Sequence, residues 1–155
     1  MLAMVELRLL TDDDYEAALA VHVPEAQQVF VADDGPVALV ILGKAHVGRW
    51  GLTWEALGIF ERDLVGLVGL AFSGDGGEAR FFHLVVTAEH QNKGAGRAAV
   101  KALIARAADA GCKMLTLTVS PHNGRAMDLY NSLGFLPSGQ HIEGEEVWAL
   151  ILPAS

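Results

Sequence analysis

Gln91-Asn92-Lys93-Gly94-Ala95-Gly96-Arg97 stands between an apolar run at 81–86 and an alanine-rich stretch at 98–110 that reads as a helix. A glycine-rich turn from a strand into a helix leaves several backbone N–H groups without acceptors at the positive end of the helix dipole. Phosphate or pyrophosphate is the ligand such an end suits. Lys93 and Arg97 add positive charge there, in a chain whose formal net charge is -8. The stretch points to a phosphorylated ligand, and its surroundings decide which fold presents it.

Outward from the loop the pattern is regular. Val100, Leu103, Ile104 and Ala107 recur at helical spacing over 96–110, and Gly111 suits the C-terminal cap. Residues 114–119 read as a strand. Asn123 and Gly124 open a short helix in which Ala126, Leu129, Tyr130 and Leu133 share a face, and Gly134 ends it. Residues 135–136 and 146–152 supply the last strands, with turns expected at Pro137-Ser138-Gly139 and Glu143-Gly144-Glu145. Before the loop, a strand from about Arg80 to Val86 follows the turn Gly74-Asp75-Gly76-Gly77. Residues 57–60 and 64–72 make a hairpin around Glu61-Arg62-Asp63.

At the start of the chain, 5–10 reads as a strand, and Thr11 or Asp12 caps a helix that Pro24 stops. Residues 25–56 admit two readings. Residues 29–32 and 37–42 form a hairpin around Asp33-Asp34-Gly35-Pro36, or Pro36 opens a helix that ends near Gly43. Helical or irregular structure is the expectation. The order of elements predicts one domain, 1–155, with an α/β sandwich and a mixed sheet.

Composition narrows the function. A chain with 52% hydrophobic and 19% charged residues builds a buried core, and its acidic balance argues against a nucleic-acid binder. That balance is compatible with a cationic substrate such as an amine. The longest apolar run, 37–42, is far below the roughly 20 residues of a membrane span. The single Cys112 has no internal disulfide partner and reads as a small core residue, so a reducing, cytoplasmic setting is expected. Histidines at 22, 46, 83, 90, 122 and 141 lack the paired spacing of a metal site, so no metal is expected.

Three motifs compete for the glycine loop. A P-loop needs Lys and then Ser or Thr after its second glycine, and Arg97-Ala98 fails that test. Gly94 to Ala99 matches a dinucleotide fingerprint, but seven residues separate Val86 from Gly94, and the strand at 114–119 ends in Ser120-Pro121-His122 without the expected acid. The third motif is Q-x-x-G-x-G, from Gln91 to Gly96, followed by a helix, a strand and Asn123-Gly124-Arg125-Ala126-Met127-Asp128-Leu129-Tyr130-Asn131-Ser132-Leu133-Gly134-Phe135.

This combination resembles the GNAT superfamily of N-acetyltransferases, with its Q/R-x-x-G-x-G/A pyrophosphate loop and its N-x-x-A-x-x-L-Y-x-x-x-G-F segment. The likeness covers about 80–136 and extends to the first strand and helix. It implies a twisted, mostly antiparallel sheet of six to seven strands with a central, splayed parallel pair, flanked by about four helices. It also implies an acetyl-CoA-dependent N-acetyltransferase acting by direct attack of a primary amine. The acceptor would be a small molecule or a peptide, with no nucleic-acid or membrane partner, and dimerisation is common in the family. A non-catalytic acyl-CoA-binding domain and a dinucleotide-dependent oxidoreductase are the alternatives.

By the same resemblance, the amides of Gln91, Asn92, Lys93, Gly94, Ala95, Gly96, Arg97 and Ala98 hold the pyrophosphate of the cofactor. Leu84, Val85 and Val86 pair with the pantetheine arm, and the Val86 amide polarises the thioester carbonyl. Asn123 contacts the cofactor or caps its helix. Tyr130 protonates the departing thiolate, a plausible transfer between a phenol of pKa about 10 and a thiol of about 8–9. The strand at 80–87 holds no acid, which leaves His83 as the candidate general base. Glu89 aligns with a non-catalytic loop position, and Glu78, His46 and Glu55 have no assigned place. Trp50, Trp54 and Trp148 are expected to pack rather than to stack on substrate.

Overall fold

A computed structural model describes residues 4–30 and 35–153. Seven strands form one sheet in the order β1-β2-β3-β4-β5-β7-β6. They are β1 (Glu6–Leu9), β2 (Thr53–Phe60), β3 (Leu64–Phe72), β4 (Glu78–Val86), β5 (Met114–Val119), β6 (Leu136–Ile142) and β7 (Glu145–Ile151). Every neighbouring pair is antiparallel except β4 and β5. Among the described residues the α-helices are α1 (Tyr15–Leu19), α2 (Val37–Val47), α3 (Ala95–Asp109) and α4 (Gly124–Ser132).

The sheet is covered unequally on its two faces. Ala99, Val100, Leu103 and Ala107 of α3 and Tyr130 of α4 pack on one face against Leu57, Ile59, Phe81, Leu115, Leu117 and Phe135. Ala18 of α1 and Val37, Ala38 and Ile41 of α2 cover the other face over Ala56, Leu67 and Val85. Successive strand side chains alternate between faces, so each strand feeds both layers. β3 and β4 approach closely: a Cβ on Gly66 would meet the Val85 carbonyl oxygen at 2.3 Å. Only glycine fits there.

The segment 25–56 is mainly helical, as expected, but its details differ. A 3-10 turn spans Glu25–Phe30, and α2 opens after Pro36. That helix runs through Gly43 to Val47, where Gly48 takes the left-handed conformation (φ 61°) that ends it. Residues 31–34, the end of the first strand and the start of the turn in the alternative hairpin, lie outside the described residues. β2 begins at Thr53, four residues before the expected start.

Pro137-Ser138-Gly139 is not a turn. It lies inside β6, where pairing with β7 slips register between Pro137 and His141 and Gly139 has φ 87°. β6 is an edge strand, where a missing proline N–H costs no ladder bond. The true turn is Glu143-Gly144, with φ 50° and 82°, as a two-residue hairpin of the primed type requires.

Candidate active site

The parallel pair is short. β4 meets β5 only at Glu78–Met114, Ala79–Leu115 and Arg80–Thr116. Beyond Arg80 and Thr116 the strands diverge, so 81–86 and 117–119 border a gap in the sheet. The Thr87 N–H donates to the Val65 carbonyl at 2.8 Å, and Val86 stands opposite Gly66. Bonded and non-bonded pairs alternate along an antiparallel ladder, so the Val86 N–H points away from β3 and into this gap.

Gln91 to Ala98 lie at the mouth of the gap. The Gln91 side chain donates to the Val86 carbonyl at 2.9 Å and exchanges two hydrogen bonds with the Gln27 amide, at 2.8 and 2.9 Å. It fixes the loop to the end of β4, so only its backbone faces outward. Asn92 (φ 62°) and Gly94 (φ 87°) turn the chain through the left-handed region, and α3 begins at Ala95. The Ala98 N–H, bonded to the Gly94 carbonyl at 3.0 Å, is the first to join the helix ladder. Those of Ala95, Gly96 and Arg97 project from its positive end.

A Cβ at Gly96 would meet nothing within 4 Å. The loop is therefore an open cradle of donors, of the kind that suits an anion. Lys93 folds its ammonium onto the Glu89 carbonyl at 3.4 Å. Arg97 donates to the Ser132 hydroxyl at 2.9 Å, and Arg125 donates to the Asn92 side chain, so α4 is tied to the cradle across the gap.

Asn123 caps α4: its side-chain oxygen accepts from the Ala126 N–H at 3.3 Å. That cap orients the helix so that Tyr130 enters the core, where it meets Phe81 and Phe135 edge-on at 5.8 and 6.0 Å. Burial, with a contribution from the Glu145 carboxylate, pushes the phenol up to about 12. It stays protonated at any working pH. The gap to a thiol widens to about three units, so proton transfer to the thiolate is uphill by about that amount for a thiol of ordinary acidity and is driven by the acyl transfer it accompanies.

His83 sits at a β-bulge between the β3 partners Leu67 and Gly69, with φ 57°. The extra residue sends Phe82 and His83 to the same side, toward α2. Lys44 of α2 lies 2.7 Å from His83 Nε2. An ammonium only donates, so Nε2 is the acceptor and the ring proton resides on Nδ1. Burial first, and the Lys44 charge second, hold the imidazole down at about 4. Nothing in the spacing of the sequence linked Lys44 to this position.

The other candidates fall away from the gap. Glu55 binds Arg106 of α3 at 2.8 and 3.2 Å. Glu78 meets Arg80 at 3.6 Å and the Thr116 hydroxyl at 3.3 Å. Glu89 takes the Thr87 hydroxyl at 3.2 Å and lies 3.3 Å from His22. His46 is in the last turn of α2. Cys112 is buried in the α3 layer, which raises its thiol above the ordinary range. Trp54 and Trp148 are packed inside, whereas Trp50 is 53% exposed. Among the described residues no group of three metal-ligating side chains occurs, and no helix is long and apolar enough to cross a membrane.

Known proteins resemble this chain in sequence and in fold. A spermine/spermidine N(1)-acetyltransferase of Bacillus subtilis is 28% identical over 92% of this chain and 95% of its own length. Among solved structures, spermidine N-acetyltransferase from Vibrio cholerae, in complex with CoA and spermine, superposes with a TM-score of 0.74 at 19% identity, covering 96% of this chain and 95% of that one. The ribosomal-protein-S18-alanine N-acetyltransferase from Escherichia coli gives 0.68 at 24% identity, with 98% and 97% covered. The profile of the acetyltransferase (GNAT) family matches residues 6–135, and the chain belongs to that family.

Proposed function

We propose that this acetyl-CoA-dependent acyltransferase moves an acetyl group to the primary amine of a small molecule by direct attack on the thioester, in the cytoplasm. The observation that carries the reading is the gap between β4 and β5, with a free Val86 N–H on one side and open helix donors at its mouth. The N–H groups from Asn92 to Arg97 hold the pyrophosphate, whereas those of Gln91 and Ala98, also expected to do so, already donate to the Ala88 and Gly94 carbonyls. The edge of β4 at Leu84 and Val86 hydrogen-bonds the pantetheine arm, while Val85, expected to join them, turns its N–H and C=O toward Leu67 of β3, and the Val86 N–H polarises the carbonyl. Acetyl-CoA supplies the activated acyl group.

The acceptor nitrogen bonds to the acetyl carbon as the carbon–sulfur bond breaks. Tyr130 gives its proton to the sulfur and regains one from solvent, which also takes the proton lost by the amine. His83, neutral and with Nε2 occupied, holds the bulge in place, and the amine reaches the site already neutral. Asn123 acts by starting α4 and so placing Tyr130. The buried thiol of Cys112 suits a reducing compartment.

The one acid of β4, Glu78, stands at its start and is held by Arg80 and Thr116, so no acid of that strand faces the gap. This favours one other reading, a domain that binds acyl-CoA without turnover. Measuring CoA release over a panel of amines, beside thermal stabilisation by acetyl-CoA, separates the two. Release with at least one amine is expected. Stabilisation without release from any amine overturns catalysis.

A further inference from the structure

Side chains along a strand alternate between the two faces of the sheet. Leu115, Leu117 and Val119 of β5 point into the layer of α3 and α4, so Thr116 and Thr118 point to the face that carries α2. β7 pairs with β5 through Leu117–Trp148 and Thr118–Val147, and Trp148 also lies in the α3 layer. Glu145 therefore shares the other face with Val147 and Thr118, and its carboxylate accepts from the Thr118 hydroxyl at 3.0 Å. Thr118 belongs to the part of β5 that has left β4. The carboxylate thus stands on the β5 flank of the gap, across from Val86.

Glu145 differs from the other acids that line the sheet. Glu55 binds Arg106, Glu78 binds Arg80, and Glu89 lies against His22. Among the described residues no lysine, arginine or histidine pairs with Glu145, which is half-buried and fixed by a neutral hydroxyl. Drawing a carboxylate partly out of water without a counter-charge costs free energy that a bound cation offsets. After burial, the Glu145 charge is the second cause that keeps the proton on Tyr130, whose ring meets Phe81 of β4 at 5.8 Å. The carboxylate is therefore within electrostatic reach of the group placed at the leaving sulfur. The cations of this face are engaged on the β4 flank, Arg80 with Glu78 and Thr116, and Lys44 with His83. α1 and α2 pack over Ala56, Leu67 and Val85, whereas Thr118 and Glu145 stay partly open to solvent.

We infer, resting on the function proposed above, that Glu145 holds a second, non-reacting cation of the acceptor, which is a primary amine joined to another ammonium by an alkyl spacer. A reacting nitrogen placed on the carboxylate would be held as its ammonium, which has no lone pair for attack, so the anion suits the nitrogen that does not react. The spacing agrees. β7 is separated from β4 by β5 and by the gap, each about 4.8 Å or more across. One nitrogen meets the thioester beside the Val86 amide while the other rests on Glu145, with Thr118 aiming the carboxylate.

Initial rates of CoA release with putrescine, butylamine and γ-aminobutyrate test this, with acetyl-CoA binding followed in parallel by thermal shift. The three probes carry one primary amine on the same chain and end it in an ammonium, a methyl group or a carboxylate. The kcat/KM for putrescine should exceed that for butylamine by about tenfold or more, and γ-aminobutyrate should be the poorest. Glu145→Gln keeps the shape and removes the charge, so the preference for putrescine over butylamine should collapse to within about twofold while the KM for acetyl-CoA stays constant. Thr118→Val, which leaves the carboxylate unaimed, should lose part of that preference. Equal kcat/KM for putrescine and butylamine, turnover of none of the three, or an unchanged preference in Glu145→Gln overturns the inference while leaving acetyl-CoA binding intact. Failure to bind acetyl-CoA overturns the underlying function, and this inference with it.

Discussion

Nζ of Lys44 donates to Nε2 of His83 across 2.7 Å, joining α2 to the bulge of β4 with a charged donor and a neutral acceptor. The pair keeps the imidazole unprotonated down to about pH 4 and occupies the nitrogen that a general base would use. The acid limb of kcat/KM therefore belongs to the acceptor amine and follows that amine's own pKa. His83→Asn, whose side chain tolerates the left-handed backbone, should leave that limb where it is. Disappearance of the limb in the variant would restore His83 as the base.

The same group makes stability depend on pH. His83 has a folded pKa of about 4, below its unfolded value of 6.5, so its contribution is present above pH 6.5 and lost as pH falls through 4. A full shift of this size is worth about 3 kcal/mol, reduced to about 2 kcal/mol for a side chain that keeps some contact with water. Denaturant unfolding of the wild type and of His83→Asn should diverge by that amount between pH 7 and pH 4. Parallel curves would show that the imidazole is not held neutral.

Tyr130 lies between Phe81 and Phe135, with its phenol raised to about 12, so no alkaline limb below about pH 11 should come from it. Tyr130→Phe keeps the packing and removes the proton. Turnover should fall by about a hundredfold, with the KM for acetyl-CoA nearly unchanged. Steady-state kinetics with saturating acceptor decide it. A variant as active as the wild type would reduce Tyr130 to a core residue.

The C-terminal half was readable because its signals are local. Glycine-bounded helices and the strand Met114–Val119 each carry a period and a punctuation mark. α2 was harder to read because Val-Ala-Leu-Val-Ile-Leu is apolar on every side, so no period separates a helix from a strand. Pro137-Ser138-Gly139 imitated a turn because its composition does not reveal that the strand lies at an edge. The glycine loop is contiguous in sequence, so its place at the start of α3 was legible. Lys44 and His83 are brought together only by α2 crossing β4, and no spacing encodes that.

Glu55 and Arg106 meet bidentately, with side chains 27% and 32% exposed, and join β2 to α3 on the α3 face of the sheet. Glu55→Gln should cost about 1–2 kcal/mol of unfolding free energy, since it weakens charge-assisted bonds in a half-buried site. Activity at 25 °C should remain within about twofold, because no step uses this carboxylate. A large fall in kcat with stability intact would mean that Glu55 reaches the acceptor after all.

Gly96 allows stability and cofactor binding to be separated. It is in the first turn of α3, has an ordinary φ, and a Cβ there would touch nothing in the protein. Alanine is the better helix former, so Gly96→Ala should leave the melting temperature unchanged or raise it, by up to about 1 kcal/mol in stability. The added methyl projects into the cradle formed by the N–H groups of Ala95, Gly96 and Arg97, where a pyrophosphate must come close to the backbone. The KM for acetyl-CoA should rise about tenfold while kcat at saturation changes little. Thermal melts and acetyl-CoA titrations of the same preparation give both numbers. A variant that is more stable and binds acetyl-CoA equally well would place the pyrophosphate elsewhere, because no protein contact could account for lost affinity at this position.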